Sequence, residues 1–260
     1  MEQKITLISW NVNGLRAAGR KGFLDWMNRG RFPIVCVQET KVSHPDQLED
    51  TLRHPDGYVS YFHSASEKKG YSGVGVYTKM KPFEVKTFFG DNLLSREGRV
   101  IEMEFADFVL LNVYFPNGGS GEVRLEYKMQ FYDEFLHYLK HLSKQGKKIV
   151  LCGDVNTAHQ PIDLARPKEN EKTSGFLPME REWMDALEAA GFVDTYRLHN
   201  GEKVEYSWWD MKTRARERNV GWRIDYFYVS ANLVPNVEDA FILTEVAGSD
   251  HAPVGLTLSW

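Results

Sequence analysis

Only two cysteines occur in 260 residues, Cys36 and Cys152, and each lies inside an apolar, strand-like run. Two thiols exclude a disulfide framework, and a buried free cysteine behaves as a small hydrophobe, so a reducing cytoplasm is the expected setting. No run approaches the ~20 apolar residues that a membrane span requires. The stretch from Met1 to Trp10 is too short in apolar residues for a signal peptide. Positive charge is also scarce: 32 Lys and Arg face 36 Asp and Glu, a formal net charge of −4. That balance excludes a general basic coat, and a nucleic-acid partner has to be met by a local basic patch. Linkers and low-complexity segments are missing too, which leaves a single domain over 1–260 with no membrane association.

What is present is apolar and aromatic. A chain that is 42% hydrophobic can bury a sizeable core, and 7 Trp with 12 Tyr suit packing as well as stacking on sugars or bases. The chain reads as many short strands and few helices. Ile5 to Trp10 predicts a strand that runs into Asn11-Val12-Asn13-Gly14. Arg16 to Met27 predicts a helix, Ile34 to Glu39 a strand ending in an acid, Pro45 to Leu52 a short helix, and Tyr58 to His63 a strand. Gly70 to Tyr77 carries closely spaced glycines without the following helix of a dinucleotide fold, so it reads as a strand whose backbone is closely approached. Phe83 to Phe89, Val100 to Phe105 and Val109 to Tyr114 are further strands. From Glu122 to Leu142, Leu125, Met129, Tyr132, Leu136 and Leu139 recur at steps of four and three, the strongest helical signal in the chain. On that helix His137 and His141 stand four apart with Asp133 one turn earlier. They lie off the apolar stripe and are read as solvated surface without a role.

Ile149 to Asn156 is the most informative run: four apolar residues, Gly153, then Asp154 and Asn156. Residues two apart on a strand share a face, so the acid and the amide project together. Arg166 to Ser174 reads as a polar loop, Pro178 starts a helix that Gly191 ends, and Ile224 to Val229 and Ala252 to Leu258 are strands. Ile5–Asn11 and Ile149–Asn156 hint at a duplication with halves of roughly 1–145 and 146–260. The expected fold is α/β (α+β), with sheets covered by helices. Glu39, Tyr114 and Asp154 end their strands, whereas Asp225 and Asp250-His251 begin theirs. Such groups share one rim only if some strands run antiparallel, as in two mixed sheets packed face to face.

Collected, the strand ends offer Asn11, Glu39, Tyr114, Asp154, Asn156, Asp225, Asp250 and His251. Any one of them alone is more often a cap or a surface residue. Together they are hard oxygen donors with a single histidine, a set that favours Mg²⁺ or Mn²⁺ over zinc. Carboxylates, a histidine and neutral donors suit metal-assisted hydrolysis of a phosphodiester, which needs an activated water and stabilisation of charge on phosphorus.

Ser9-Trp-Asn-Val-Asn-Gly-Leu-Arg16, Val37-Gln-Glu-Thr-Lys41, Gly70-Tyr-Ser-Gly-Val-Gly75, Gly153-Asp-Val-Asn156, Asn219-Val-Gly-Trp-Arg-Ile-Asp225 and Gly248-Ser-Asp-His251 follow one another along nearly the whole chain. In this order they resemble the exonuclease III family of AP (apurinic/apyrimidinic) endonucleases, within the DNase I-like superfamily. The resemblance implies a four-layered α/β sandwich. It also implies a monomeric, Mg²⁺-dependent enzyme that incises duplex DNA 5′ to abasic sites, with 3′-phosphodiesterase, 3′-phosphatase and 3′→5′ exonuclease activity on blocked 3′ ends. Carried over by position, Glu39 is the main metal ligand with Asn11 and Asp250 nearby. Asp154 orients or deprotonates the water, Asn156 and Tyr114 hold the phosphate, and His251, steered by Asp225, donates to a phosphate oxygen or is itself the base. Trp208, Trp222 and Ile224 match the pocket for the extruded sugar, while Trp209 is read as core. Further substrate contacts fall on Arg16, Tyr71, Asn117, Lys168, Asn170 and Arg214, and Lys41, Lys172, Arg216, Arg218 and Arg223 extend the basic patch. Three positions depart from the common pattern. Asn13 is Asp in some relatives, Ala252 replaces a frequent Cys, and Gly119-Ser120 with Lys212 stand where some members insert larger side chains into the duplex. The competing readings are another phosphoesterase on the same scaffold, which does not need the Trp208–Arg223 segment, and an inactive DNA-binding protein, which predicts lost acids.

Overall fold

The computed structural model describes residues 4–87 and 96–260. The last two residues of the strand expected over Phe83–Phe89 lie outside them. The described strands are β1 (Lys4–Asn11), β2 (Ile34–Gln38), β3 (Val59–His63), β4 (Val74–Thr78), β5 (Glu84–Lys86), β6 (Val100–Glu104), β7 (Val109–Tyr114), β8 (Ile149–Asp154), β9 (Phe192–Asp194), β10 (Asp225–Ser230), β11 (Val237–Ile242) and β12 (Val254–Ser259). They form two six-stranded sheets, ordered β11-β12-β1-β2-β4-β3 and β5-β6-β7-β8-β10-β9. In each sheet the central pair is parallel, β1 with β2 and β7 with β8, and the outer pairs run antiparallel.

β2 and β8 are buried along their whole length, as their unbroken apolar runs predict for strands covered on both faces. One face of each sheet meets the other sheet in a core that includes Leu7, Cys36, Val76, Leu110, Val150, Cys152, Phe227 and Leu256. The helices are α1 (Leu15–Arg20), α2 (Phe23–Gly30), α3 (Asp50–Arg53), α4 (Glu122–Lys144), α5 (Pro167–Asn170), α6 (Pro178–Ala189) and α7 (Thr195–Asn200); α1, α2, α4 and α6 cover the outer faces, while Tyr196 of α7 packs into the core between the sheets. Trp10, Leu15, Phe23 and Met27 seat α1 and α2 on the first sheet. Tyr132 of α4 stacks on Trp183 of α6, ring centroids 4.0 Å apart, over the second. Helix, sheet, sheet, helix: this is the four-layered α/β sandwich. Among the described residues no helix is long and apolar enough to cross a membrane.

Several local expectations change. The helix expected over Arg16–Met27 is two helices, because the chain turns at Lys21 and Gly22, the latter in the left-handed region at φ 92°. The helix expected over Pro45–Leu52 is a 3₁₀ turn at Pro45–Gln47 followed by the single turn α3. On α4 the buried side is Lys128, Phe131, Tyr132, Phe135, Leu136, Leu139 and Leu142; Tyr132, Leu136 and Leu139 of the expected stripe belong to it, Leu125 and Met129 are only half-buried, and it includes a lysine. The two sheets repeat one pattern of pairings, in which β1 and β2 correspond to β7 and β8. The repeat therefore does not divide at 145/146. β5 to β10 form one copy, and β11 and β12 complete the other beside β1 to β4. Ile149–Asn156 accordingly corresponds to β2, which leads into Glu39, and not to β1.

This pairing positions the rim. β7 and β8 run in parallel register, Tyr114 opposite Asp154. β10 runs antiparallel to β8 and places its first residue, Asp225, opposite Asp154. β12 runs antiparallel to β1, with Val254 opposite Ser9, so the segment leading into β12 brings Asp250 and His251 to the end of β1.

Candidate active site

At this rim Asn11, at the end of β1, donates Nδ2 to Glu39 Oε1 at 2.9 Å and to Asp154 Oδ2 at 2.8 Å. Its Oδ1 accepts the Asn13 N–H at 3.0 Å, so the amide shows its nitrogen to the acids. Asn11, expected among the metal ligands, is in this orientation the donor that spaces two carboxylates. Glu39 sits just past β2 at φ 52°, a backbone conformation uncommon outside glycine and asparagine. Flanking bonds hold it there: Gly14 N–H to Glu39 O at 2.7 Å, Thr40 N–H to Gly73 O at 3.0 Å and Lys41 N–H to Ser72 O at 2.8 Å. Glycine is required at 73, where φ is +86° and a Cβ would lie 2.2 Å from Thr40 Oγ1. The Glu39 carboxylate also accepts Tyr114 Oη–H at 2.8 Å and the Lys41 ammonium at 2.9 Å. Burial pushes its pKa up, but Lys41, Asn11 and His251 outweigh this and hold it below the ordinary carboxylate range. Burial and the Glu39 charge drive the Tyr114 hydroxyl well up, so it stays a neutral donor.

Asp154 is fully buried. Its Oδ1 accepts the Asn156 N–H at 2.8 Å, which the left-handed Asn156 (φ 56°) turns back toward it. Burial first, then the charge of Asp225, raises Asp154 to about 7, against the opposing pull of His251. His251 Nδ1 lies 2.8 Å from Asp225 Oδ2, and its Nε2 lies 3.9 Å from Asp154 Oδ2. Burial pulls the imidazole down, but Asp225, then Asp154 and Asp250, overcome it and raise it to about 10. A carboxylate on Nδ1 leaves Nε2–H directed at the cleft. Asp225 is held in turn by Ser207 Oγ–H at 2.7 Å, a residue the sequence reading passed over. Asp250 accepts Asn13 Nδ2 at 2.9 Å and Trp208 Nε1 at 3.1 Å. Burial raises its pKa, but His251, Asn13 and Trp208 outweigh burial and hold it low. Asn13, at the position that departs from the common pattern, also accepts from Lys41.

Glu39, Tyr114, Asp154, Asn156, Asp250 and His251 line a cleft of about 300 Å³. Its far wall is apolar: Trp208, Trp222 and Ile224 pack with Leu164 and Phe176. Trp208 and Trp222 exchange backbone bonds of 2.8 and 2.9 Å, and Trp208 also bridges to His251. The two indoles meet edge-on with centroids 6.4 Å apart. Trp209 is core, as expected. Thr173, Ser174 and Gly175 complete the cleft; the first two fall in the segment that reads as a polar loop, and Gly175 lies just past it. Ligand atoms of Glu39, Asp154 and His251 lie within 4.8 Å of one another. Asp250 stands on the same rim outside that group.

The expected substrate contacts divide. Asn117 belongs to the cleft and donates to Asn156 Oδ1 at 2.9 Å. Arg16 is exposed beside Asn13, Arg20 and Lys41 in an adjoining depression. Tyr71 accepts from Arg99 at 3.2 Å and Arg124 at 3.1 Å. Lys168, Lys172 and Arg214 are exposed, and Asn170 is half-buried on α5 with its amide on Arg166 O. Two members of the basic patch are not surface groups. Arg216 lies over the Trp209 ring and donates to the carbonyls of Thr244, Val246 and Ser249. Arg223 is fully buried, with Nε on Asp163 at 2.8 Å and Nη2 on Asp194 at 2.7 Å. Trp222 and Ile224 face the pocket, so period two turns Arg223 to the other side.

Arg223→Leu takes the guanidinium from two buried carboxylates, leaving Asp163 with Arg197 alone and Asp194 without a cation, and is expected to cost about 3–5 kcal/mol, read as a lowered denaturation midpoint. Burial raises Asp163, but Arg223 and Arg197 outweigh it and leave its pKa lowered. The stabilisation is thus complete above the ordinary carboxylate pKa and is lost as pH falls through the depressed folded value. The deficit of the variant should shrink in that acid range.

The chain matches the Endonuclease/Exonuclease/phosphatase family over residues 8–251. It is 45% identical over 255 residues to an exodeoxyribonuclease of Bacillus subtilis, covering 97% of this chain and 99% of that one. To the DNA repair nuclease APEX1 of Danio rerio it is 43% identical over 257 residues, covering 98% and 82%. The structure of an AP endonuclease from Archaeoglobus fulgidus superposes with a TM-score of 0.88 at 26% identity, covering 98% and 99%.

Proposed function

Because this chain belongs to the endonuclease/exonuclease/phosphatase family, we propose that it is a DNA-repair nuclease that hydrolyses the phosphodiester 5′ to abasic sites in duplex DNA. The observation that carries this reading is the two-sided cleft. A polar wall of Asp154, Asn156, Tyr114 and His251 faces an apolar wall of Trp208, Trp222 and Ile224, backed by Phe176. A sugar without a base leaves the stack at less cost than an intact nucleotide and fits between indoles, while its phosphate meets the polar wall. Damage-processing at 3′ ends (phosphodiesterase, phosphatase and 3′→5′ exonuclease) follows from the same wall acting on a terminal phosphate. The cleft is complete within one chain, in keeping with a monomer. Exposed Arg16, Lys168, Lys172 and Arg214 supply local phosphate contacts.

The donor set fits a hard divalent cation. Glu39, Asp154, Asp225 and Asp250 bring four carboxylates against two cationic side chains, Lys41 and His251, and no thiolate faces the cleft. Glu39, with Asp154 beside it and Asp250 on the rim, would hold Mg²⁺ or Mn²⁺. When bound, the cation supplies positive charge against which the phosphate is polarised. Asn156 and Tyr114 face the phosphate, Tyr114 turning its one hydroxyl proton from Glu39 to a phosphate oxygen and Asn156 using the amide hydrogen that Phe115 O does not take, and His251 donates Nε2–H to the oxygen that gathers charge. Asp154 is the better base of the two. Its carboxyl sits near 7, where it exchanges a proton at neutral pH, whereas His251 near 10 stays protonated.

A duplex with one abasic site, incubated with protein and Mg²⁺, is expected to be cut on the 5′ side of that site. EDTA should abolish cutting, and added Mg²⁺ should restore it. Persistent cutting in EDTA, or no cutting with Mg²⁺, sinks the proposal.

A further inference from the structure

Beneath the polar wall lies a charge pair that touches neither the cleft nor solvent. Lys128 on α4 and Glu180 in the first turn of α6 are both 0% exposed, and Lys128 Nζ meets Glu180 Oε1 at 2.6 Å. The ammonium uses all three of its protons: the other two go to Asn156 O and Thr157 Oγ1, each at 2.8 Å. Glu180 reaches the other way. Its Oε1 accepts Ser174 Oγ–H at 2.9 Å, and its Oε2 accepts the N–H groups of Gly175 at 2.6 Å and Leu177 at 3.0 Å. Ala158 N–H bonds to Gly175 O at 2.8 Å and closes the circuit.

Two loops meet here, 156–158 and 173–177, and both present residues to the cleft. Stability alone is a poor reason for this pair, since buried ion pairs are often matched or exceeded by apolar side chains of similar volume. What apolar side chains cannot do is accept two backbone N–H groups on one loop while donating to a carbonyl on the other. Asn156 is held in the left-handed region, its amide between Asn117 and the Phe115 carbonyl. The bond from Lys128 to its carbonyl fixes the rotation of that residue.

We propose that Lys128 and Glu180 are positioning residues that hold Asn156 and the 174–175 segment at the spacing the scissile phosphate requires. The inference rests on the proposed function and adds to it two residues remote from the substrate. A displacement of about 1 Å at a reacting group costs about 100-fold in rate, and that is the expected loss.

The test compares the wild-type protein, Lys128→Met, Lys128→Met/Glu180→Leu and Glu180→Gln, each by thermal midpoint and by kcat and KM on an abasic duplex. Lys128→Met should melt far below wild type, because it leaves Glu180 charged and buried. In the double variant the midpoint should recover part of the loss, because no unpaired charge is left while the loop N–H groups stay without their acceptor, and kcat should stay down about 100-fold with KM moving little. Glu180→Gln keeps the volume and an acceptor for Lys128 but turns N–H toward the N–H groups of Gly175 and Leu177; it too should lose kcat. A double variant that folds and turns over at the wild-type rate overturns the inference. Should the double variant not fold, a Glu180→Gln protein with wild-type kcat overturns it equally. Failure of the wild-type protein to cut counts against the proposed function instead, so the two failures are distinct.

Discussion

Asp154→Asn is expected to lower the rate of abasic-site incision by about 10²–10⁴-fold, the usual contribution of a positioned acid or base, while the variant still binds the duplex. The substitution keeps the volume, and an amide oxygen still accepts the Asn156 N–H that now bonds to Oδ1 at 2.8 Å. The other position fails, because an amide nitrogen there would face Asn11 Nδ2, which at present donates to Oδ2 at 2.8 Å. More important is the lost ability to take a proton. Burial and the charge of Asp225 set this carboxyl near 7, and a cation held beside it would draw it lower, so the wild-type rate should rise with pH on the acid side and level off by neutrality. In the variant that rise should disappear along with the rate. Binding is measured separately, by titrating labelled abasic duplex, since a drop in affinity alone would mimic lost turnover. Turnover within tenfold of wild type would remove Asp154 from the chemistry.

The strand ends were legible because each needs only a short, local signal: an apolar run that stops at a polar residue. Tyr114, Asp154 and Asp225 stand in register because β7, β8 and β10 pair as their directions require. What escaped is set by partners far along the chain. Arg214 and Arg223 look alike in a basic segment, yet one is exposed and the other is clamped by Asp163 and Asp194. The alternation of Trp222 and Ile224 carried the clue. Lys128 hid in an apolar stripe, where a lysine reads as an interruption until Glu180 is seen opposite it. β11 was missed because its residues Val-Glu-Asp-Ala-Phe-Ile alternate poorly. It is an edge strand with a register shift between Val237 and Asp239, and exposed edges tolerate charge. The duplication was misplaced for a further reason. Asn11 and Asp154 end similar strands, but the matching of strands depends on sheet order, which no local window contains.

The second large effect concerns His251. Burial lowers the affinity of its imidazole for a proton, yet Asp225, Asp154 and Asp250 raise it to about 10. The ring is therefore cationic at neutral pH and donates from Nε2 until the pH passes about 10. His251→Ala removes a charged donor to the developing oxyanion and is expected to cost about 10²–10³-fold in kcat. The pH profile separates this role from that of a base. For a donor, the alkaline fall near 10 disappears in the variant while the rise on the acid side remains. That rise should also move to higher pH, because the His251 charge now holds Asp154 down, and without it the carboxyl retains its proton longer. If His251 were the base, the acid-side rise would vanish with it and Asp154→Asn would keep that rise. The two variants measured side by side from about pH 5 to 11 thus assign the proton, and each predicted profile is the reverse of what the other assignment requires.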